Sequence, residues 1–355
     1  VKQLSLAAQL ASTIADPLSI LESDASLVVS KTIEWAIFYG DSSLTGTTGG
    51  QGLEFDGLEK LLEDNTDYPE NIMDLRGGSL TPEQINKAAV IVAKGFGTPT
   101  DAYMPIGVQA DFVNQFLKDQ RIIVTDHDNN VQLGMNTAVF NSVKGAIKLH
   151  GSTIMDNDLI LDTSRAVDPA APFAPSSVVA AVSTGTAGQF FPSDDAAFDY
   201  KVVVNSGQYQ SAPATSNVAT IANATDSVTL TITLNTLQAA PPDYVAIYRK
   251  GAVSGQYYLI KRVAANTANN GVITFVDNNA VIPETTNVFL GELSKGVITL
   301  FEFLPFVKLN LAITTTSNQF ALLWYGALGL YAPRRWVEIK NVNYVQAFKE
   351  PTIYA

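Results

Sequence analysis

Apolar residues fall at three- and four-residue spacing from Leu18 through Leu21, Ala25, Val28 and Thr32 to Trp35, drawing one stripe along a helix. Asp16-Pro17 supplies the start, because Asp can cap the first free N–H groups and proline fits the first helical position. Gly40-Asp41 supplies the stop, so the pattern predicts a helix over Pro17–Tyr39. At 1.5 Å per residue such a rod is about 34 Å long. A second helix opens at Thr81-Pro82-Glu83-Gln84, a capping box, and runs through Ile85, Ala88, Ala89 and Val92 to a Gly95 stop. Ala102-Tyr103-Met104 reads as a short buried strand, followed by a helix over Pro105–Leu117. This alternation predicts an α+β or α/β layer for residues 1 to about 170.

The pattern changes after the linker-like Pro172–Pro175. Short β-rich runs follow, broken by Gly, Asn, Asp and Pro: 177–184, 199–205, 216–222, 227–235, 243–249, 256–263 and 271–277. Tyr200, Val202 and Val204 alternate with Lys201 and Val203, which predicts a half-buried strand. Runs of this number and length suit an immunoglobulin or fibronectin type III sandwich. The phrases Tyr200–Ser206 and Tyr244–Arg249 are similar to fibronectin type III strands. From residue 291 the chain returns to long apolar strands, Val297–Leu304, Phe320–Leu330 and Trp336–Val345. These need a sheet partner, so the economical reading joins the first and third regions into one unit with the sandwich inserted between them.

Composition narrows function mainly by exclusion. The 355 residues are 46% hydrophobic and only 16% charged, which excludes disorder and leaves a surface poor in charge. That suits a protein covered by copies of itself, since interface cores are depleted of charge. A net charge of −12, with basic residues clustered only in pairs such as Arg334-Arg335 and Lys261-Arg262, argues against sequence-specific nucleic-acid binding. With no cysteine there is no disulfide and no thiolate metal site. No signal-peptide pattern is visible, and the apolar run Phe320–Ala332 is too short to span a bilayer as a helix. The start at Val1 suggests a processed or shortened chain.

Candidate chemistry is thin. His127 lies in Asp126-His127-Asp128-Asn129-Asn130, but a calcium loop starting at Asp126 needs glycine at position 131 and Glu at 137, where this chain has Val131 and Thr137. His150 has no acid at helical spacing and reads as a structural histidine. Gly95-Phe96-Gly97 lacks the third glycine of a dinucleotide fingerprint, and no nucleophile elbow or Walker lysine occurs. Glu54, Asp56, Glu59, Glu63 and Asp64 read as a solvated helix face, and Asp194-Asp195 as a loop. The expectation is therefore no catalytic, cofactor-binding or metal-binding residue, no cofactor, and no enzyme.

Three blocks carry a resemblance: Thr32–Asp41, Gly52–Leu58 and Gly95–Phe112. Further matching phrases are Ile147–Thr153, Leu159–Asp162, Ser211–Pro213, Leu259–Val263 and Leu323–Leu328. In this order they closely resemble the major capsid proteins of tailed bacteriophages, most of all those of the large Twort-type myophages of Gram-positive hosts. The resemblance covers nearly the whole chain. It implies the Johnson fold shared with herpesvirus shells, with Pro17–Tyr39 as the spine helix. It further implies a peripheral domain from 1–45 and 330–355, an axial domain from 46–170 and 291–329, and an inserted immunoglobulin- or fibronectin III-like sandwich over 171–290. The N-terminal arm and extended loop of the family, which precede the spine helix, are expected to be missing.

The implied function is a self-assembling subunit of an icosahedral virion shell, built in the host cytoplasm as pentamers and hexamers. Such a shell encloses double-stranded DNA without reading its sequence. Portal or decoration proteins are expected partners and no membrane is involved; the sandwich acts as a surface buttress or decoration, or alternatively binds a host-surface glycan. Two rival readings stand beside this one. A cell-surface adhesin or glycan-binding protein with a fibronectin-like module should carry a signal peptide or tandem modules. A carboxylate-dependent enzyme should show a deep pocket around Glu54 and Asp56.

Overall fold

A computed structural model describes residues 2–5, 17–44, 54–117, 124–125, 131–132, 139–155, 160–162, 172–186, 188–190, 197–206, 209–236, 242–265, 268, 271–311, 317–345 and 348–349. It is a mixed α+β structure with few helices. The chain divides into two compact units, one made of residues 1–41, 54–66 and 293–333 and the other of 42–53, 67–292 and 334–355.

The first unit holds helix α1 (Pro17–Tyr39), the short helix α2 (Leu58–Glu63) and a three-stranded antiparallel sheet. α1 has the bounds that Pro17 and Gly40 dictate. Its burial is uneven: Ala25, Ala36, Phe38 and Tyr39 are buried, whereas Val28 and Thr32 of the expected stripe are exposed. Gly57 is what lets α2 meet the end of α1. A Cβ there would stand 2.6 Å from the Ala36 carbonyl oxygen and 2.6 Å from the Gly40 nitrogen. The sheet runs Lys2–Ser5, Ser317–Leu330, Ile298–Asn310, so its long hairpin leaves Ile298–Asn310 as an edge.

The second unit is built on a six-stranded mixed sheet in the order Ile72–Asp74, Trp336–Val342, Thr286–Gly291, Asp101–Pro105, Gly145–Ser152, Val139–Ser142. The first pair and the Asp101–Gly145 pair are parallel; the rest are antiparallel. One face packs on helices α3 (Pro82–Lys94) and α4 (Ile106–Leu117), with Ile85, Ala88, Ala89, Val92, Val108 and Phe112 meeting Met104, Leu149, Leu290 and Ile339. α3 starts at Thr81, whose N–H donates to Gln84 Oε1 at 2.6 Å. It ends at Lys94, but Gly95 has φ −77 and is not the left-handed residue of the turn; Phe96 is, with φ +59. Gly95 is required instead for close approach, since a Cβ would lie 2.4 Å from the Arg334 carbonyl oxygen.

The same unit contains two further antiparallel sheets that share one apolar core. Ser177–Ser183, Ser227–Thr233 and Val272–Asp277 form the first. Tyr200–Ser206, Tyr244–Lys250 and Tyr257–Ala264 form the second, with short strands at Tyr209–Gln210 and Ala214–Thr215. Val178, Leu230 and Ile273 from one side meet Val202, Ile247 and Ile260 from the other. The expected alternation in Tyr200–Ser206 fails at Val203, which is fully buried. It packs with Leu161, Ala246 and Tyr248, because the segment around Leu161 lies along the outer face, pairing Ile160 with Tyr258. Of the run expected over 216–222, only Ala219–Thr220 is strand.

The C-terminal third is divided differently from the expectation. The hairpin strands of 298–330, expected beside the six-stranded sheet, group with α1. Trp336–Val342, expected beside α1, is an inner strand of the six-stranded sheet, paired with Ile72–Asp74 and Thr286–Gly291. The first and third regions therefore do not form one unit; each contributes to both.

Candidate functional site

Several of the residues singled out for chemistry are engaged in structure. The parallel register that sets Tyr103 opposite His150 brings the imidazole onto Asp101, with Nε2 2.8 Å from Oδ1, and stacks it on the Tyr103 ring at 4.8 Å. Burial, helped by the Asp101 charge, raises the Tyr103 hydroxyl above its usual pKa. This cross-strand pair ties two strands together, as expected of a structural histidine. Among the carboxylates, Glu54 accepts from the Asp41 N–H at 3.2 Å and Asp64 pairs with Lys60 at 3.0 Å. Glu63 and Asp64 face solvent. Among the described residues no three His, Asp or Glu side chains gather as a metal ion requires. Asp126–Asn130, with His127, and Asp194-Asp195 lie outside the described residues.

The unusual surface is the hairpin of the first unit. Along Ile298–Asn310 the side chains are exposed or half-exposed on both faces of the ribbon. Phe303 is 77% exposed, and Phe301, Phe306 and Leu309 are also in solvent. On the neighbouring strand Tyr325 is 58% exposed, and Tyr331 just beyond its end is 61% exposed. α1 adds Ile20, Leu27 and Val28. Soluble monomers rarely leave so many large apolar side chains of one strand in water.

The edge of the same ribbon is guarded. Pro305 removes a donor from Ile298–Asn310, and the register shifts between Glu302 and Leu304 and again between Leu304 and Val307. Lys308 projects from the edge strand and pairs with Glu22 of α1. Glu302 accepts from Trp324 Nε1 at 3.2 Å, and Trp324 leans on Phe55 at 5.9 Å between ring centroids. Bulges, proline and lysine are the usual means of stopping uncontrolled strand addition. The arrangement thus favours association through faces over association through the edge.

Sequence reasoning found these strands and assigned them a sheet partner, without reading them as a surface. The signal it passed over is the loss of alternation: Phe301, Phe303, Leu304, Phe306 and Val307 place apolar groups on both faces of one strand.

Among the described residues no helix is long and apolar enough to cross a membrane. No family model matches the chain. The major capsid protein of Staphylococcus phage K is 51% identical over 346 residues, which is 97% of this chain and 73% of that protein. The putative major capsid protein of Enterococcus phage phiEF24C is 50% identical over 347 residues, with the same coverage of both chains. Among solved structures, an encapsulin complex from Synechococcus elongatus aligns over 97% of this chain and 72% of that one, with a TM-score of 0.41 and 9% identity, a likeness too weak to assign a fold. At half-identity over nearly its whole length, this chain belongs to the major capsid protein family of these bacteriophages.

Proposed function

We propose that this chain builds an icosahedral phage head by packing as pentamers and hexamers around double-stranded DNA. Its family makes it a structural capsid protein of the virion and not an enzyme. The observation that carries the assembly reading is the strand Ile298–Asn310, whose phenylalanines and leucines stand exposed or half-exposed along its length. In this reading the ribbon and α1 belong to the peripheral domain of the Johnson fold, with α1 as its spine. The six-stranded sheet with α3 and α4 is the axial domain. Subunits placed head to tail around five- and six-fold axes make a heterologous contact that closes into rings. Several such contacts per subunit hold the shell together even where each is modest. An acidic chain encloses DNA without gripping it, because it offers few cations to release counterions from phosphates.

The two sheets that share the Val202–Leu230 core are read as an immunoglobulin- or fibronectin III-like module that buttresses or decorates the shell. Binding of a glycan through 171–290 has no observation in its favour. On the outer face of Ser177–Ser183, Ser227–Thr233 and Val272–Asp277 the register sets Thr231 between Val179 and Thr274, and Thr229 between Ala181 and Val276, with no aromatic platform among them. Portal and decoration proteins remain proposed partners.

The test is electron microscopy and light scattering of the expressed protein beside Phe303→Glu. Wild type forming shells, rings or sheets while Phe303→Glu stays folded and dispersed supports the reading. Wild type remaining as small monodisperse particles at high concentration overturns it.

A further inference from the structure

Among the described residues, five other than glycine have positive φ: Arg76, Phe96, Asn279, Glu284 and Asn341. Such a conformation is strained and persists where the surroundings enforce it. In four of the five, the side chain makes hydrogen bonds inside the molecule. Arg76 reaches Gln189, Asn279 donates to the Gln189 carbonyl at 2.9 Å, and Glu284 accepts from the N–H of Val253 at 3.1 Å. Asn341 donates to Asp74 at 2.8 Å and accepts from Ile282 at 2.9 Å. Phe96 is the exception. Its ring has no polar group to pair and is 86% exposed.

The turn that presents this ring is rigid. The N–H groups of Gly95, Phe96 and Gly97 donate to Ile91, Ala93 and Val92 at 3.1, 3.0 and 3.0 Å. Gly95 and Gly97 are buried against Arg334 and Arg335, where a Cβ at either position would collide. Glycine at 96 would satisfy the same backbone without strain and without an aromatic ring in water, so nothing among the described residues accounts for the phenylalanine.

The surroundings indicate what covers it. Beyond its acidic first turn at Glu83, the exposed side of α3 that leads to Phe96 carries Lys87, Val90 and Lys94, and Arg334 stands beside Gly95 and over the Tyr68 ring. This basic and apolar strip belongs to a chain with 34 acidic against 22 basic residues. Its electrostatic complement is the acidic surface of another copy, and an aromatic anchor ringed by charge is the usual build of an interface hot spot.

We propose that Phe96 is an assembly anchor that inserts into a second copy of this chain, guided by Lys87, Lys94 and Arg334. The proposal rests on the self-assembly reading above but names a different contact, in the second unit. It is tested by comparing wild type, Phe96→Ala and Phe96→Gly for assembly by light scattering and microscopy, and for thermal unfolding of the unassembled subunit. Phe96→Gly is expected to unfold at or above the wild-type temperature, because the strain is gone. Both variants are expected to need about tenfold more protein to assemble, since burying a phenylalanine is worth at least that factor. Lys94→Glu should weaken assembly in the same direction at low ionic strength. Variants that assemble like wild type overturn the anchor and leave the assembly reading intact. A fall in unfolding temperature that matches the assembly loss also overturns the anchor, by making Phe96 a structural residue. A wild type that never assembles overturns both.

Discussion

Removing Asp277 from the sandwich core should be among the most damaging single changes in the second unit. Arg249 is 1% exposed and Asp277 4%, and Nη1 meets Oδ2 at 2.5 Å. Tyr200 donates its hydroxyl to the same carboxylate at 3.0 Å, and the Asn279 N–H donates to the other oxygen at 2.8 Å. The guanidinium also donates to Asn279 and to the Val281 carbonyl and lies over the rings of Phe190 and Phe198. Tyr200 and Arg249 sit on one sheet and Asp277 ends a strand of the other, so this network is a polar tie across an otherwise apolar sandwich. Asp277→Ala strands a buried guanidinium, at a cost of about 3–5 kcal/mol. At about 1.4 kcal/mol per decade, amide exchange in Tyr200–Ser206 and Tyr244–Lys250 should quicken by roughly two to three and a half decades. The double variant Arg249→Met, Asp277→Leu removes both charges and should recover much of that loss. Amide exchange by mass spectrometry on wild type, each single variant and the pair closes the cycle. Single losses below about 1 kcal/mol, or losses that simply add, would refute the claim that the pair acts as one buried unit.

Three other outcomes are expected. Gly57→Ala drives a Cβ into the backbone at Ala36 and Gly40, and should lower the stability of the first unit by about 1–3 kcal/mol in denaturant titration. Phe112→Ala empties a fully buried site where the ring meets Phe116 and Phe140 edge-on, and should cost about 3–5 kcal/mol in the second unit by the same measurement. Alkaline pH should destabilise the fold: burial and then the hydrogen bond to Asp199 push Tyr257 up to about 12, and burial raises Tyr200 in the same direction. Because both folded-state values are raised, this stability is complete below pH 10 and is lost as pH climbs from about 10 toward 12. Tyr257→Phe should flatten that loss in urea midpoints measured between pH 9 and pH 11.5, and an unchanged slope in a variant lacking both hydroxyls would contradict it.

What the sequence disclosed and what it withheld divide along the reach of the forces involved. α1 and α3 begin at Pro17 and Pro82 as read, because capping and φ restriction act within one turn of the chain. Ser177–Ser183, Ser227–Thr233 and Val272–Asp277 fall within one or two residues of their expected ends, since Gly, Asn and Asp punctuate them locally. Trp336–Val342 was legible as a strand but not as a neighbour of Ile72–Asp74, a parallel pairing across more than 250 residues that no local pattern encodes. Val203 was misjudged for the same reason, since the segment that covers it is about 40 residues away. The exposure of Phe301, Phe303 and Phe306 was not legible, because apolar runs of that length also occur in buried strands.

The two units place polarity in opposite ways. The sandwich hides an ion pair, Arg249 with Asp277, and sets threonine, alanine and valine on the outer face of one sheet. The ribbon of the first unit does the reverse, keeping phenylalanines in water and charged Glu302 and Lys308 along its edge strand. A buried ion pair contributes little net stability but tolerates few alternative packings, so it suits a module that must keep one shape. Bare apolar faces contribute nothing until something covers them, and then about 25 cal/mol per Å². Because Pro305 and the bulges blunt the edge, the energy of association is collected through the faces. Strand addition at an edge can repeat without limit and gives fibres, whereas a face-to-face contact of fixed geometry can close into a ring. In the proposed assembly, closure matters more than the strength of each contact, and the ribbon's guarded edge is the feature that favours it.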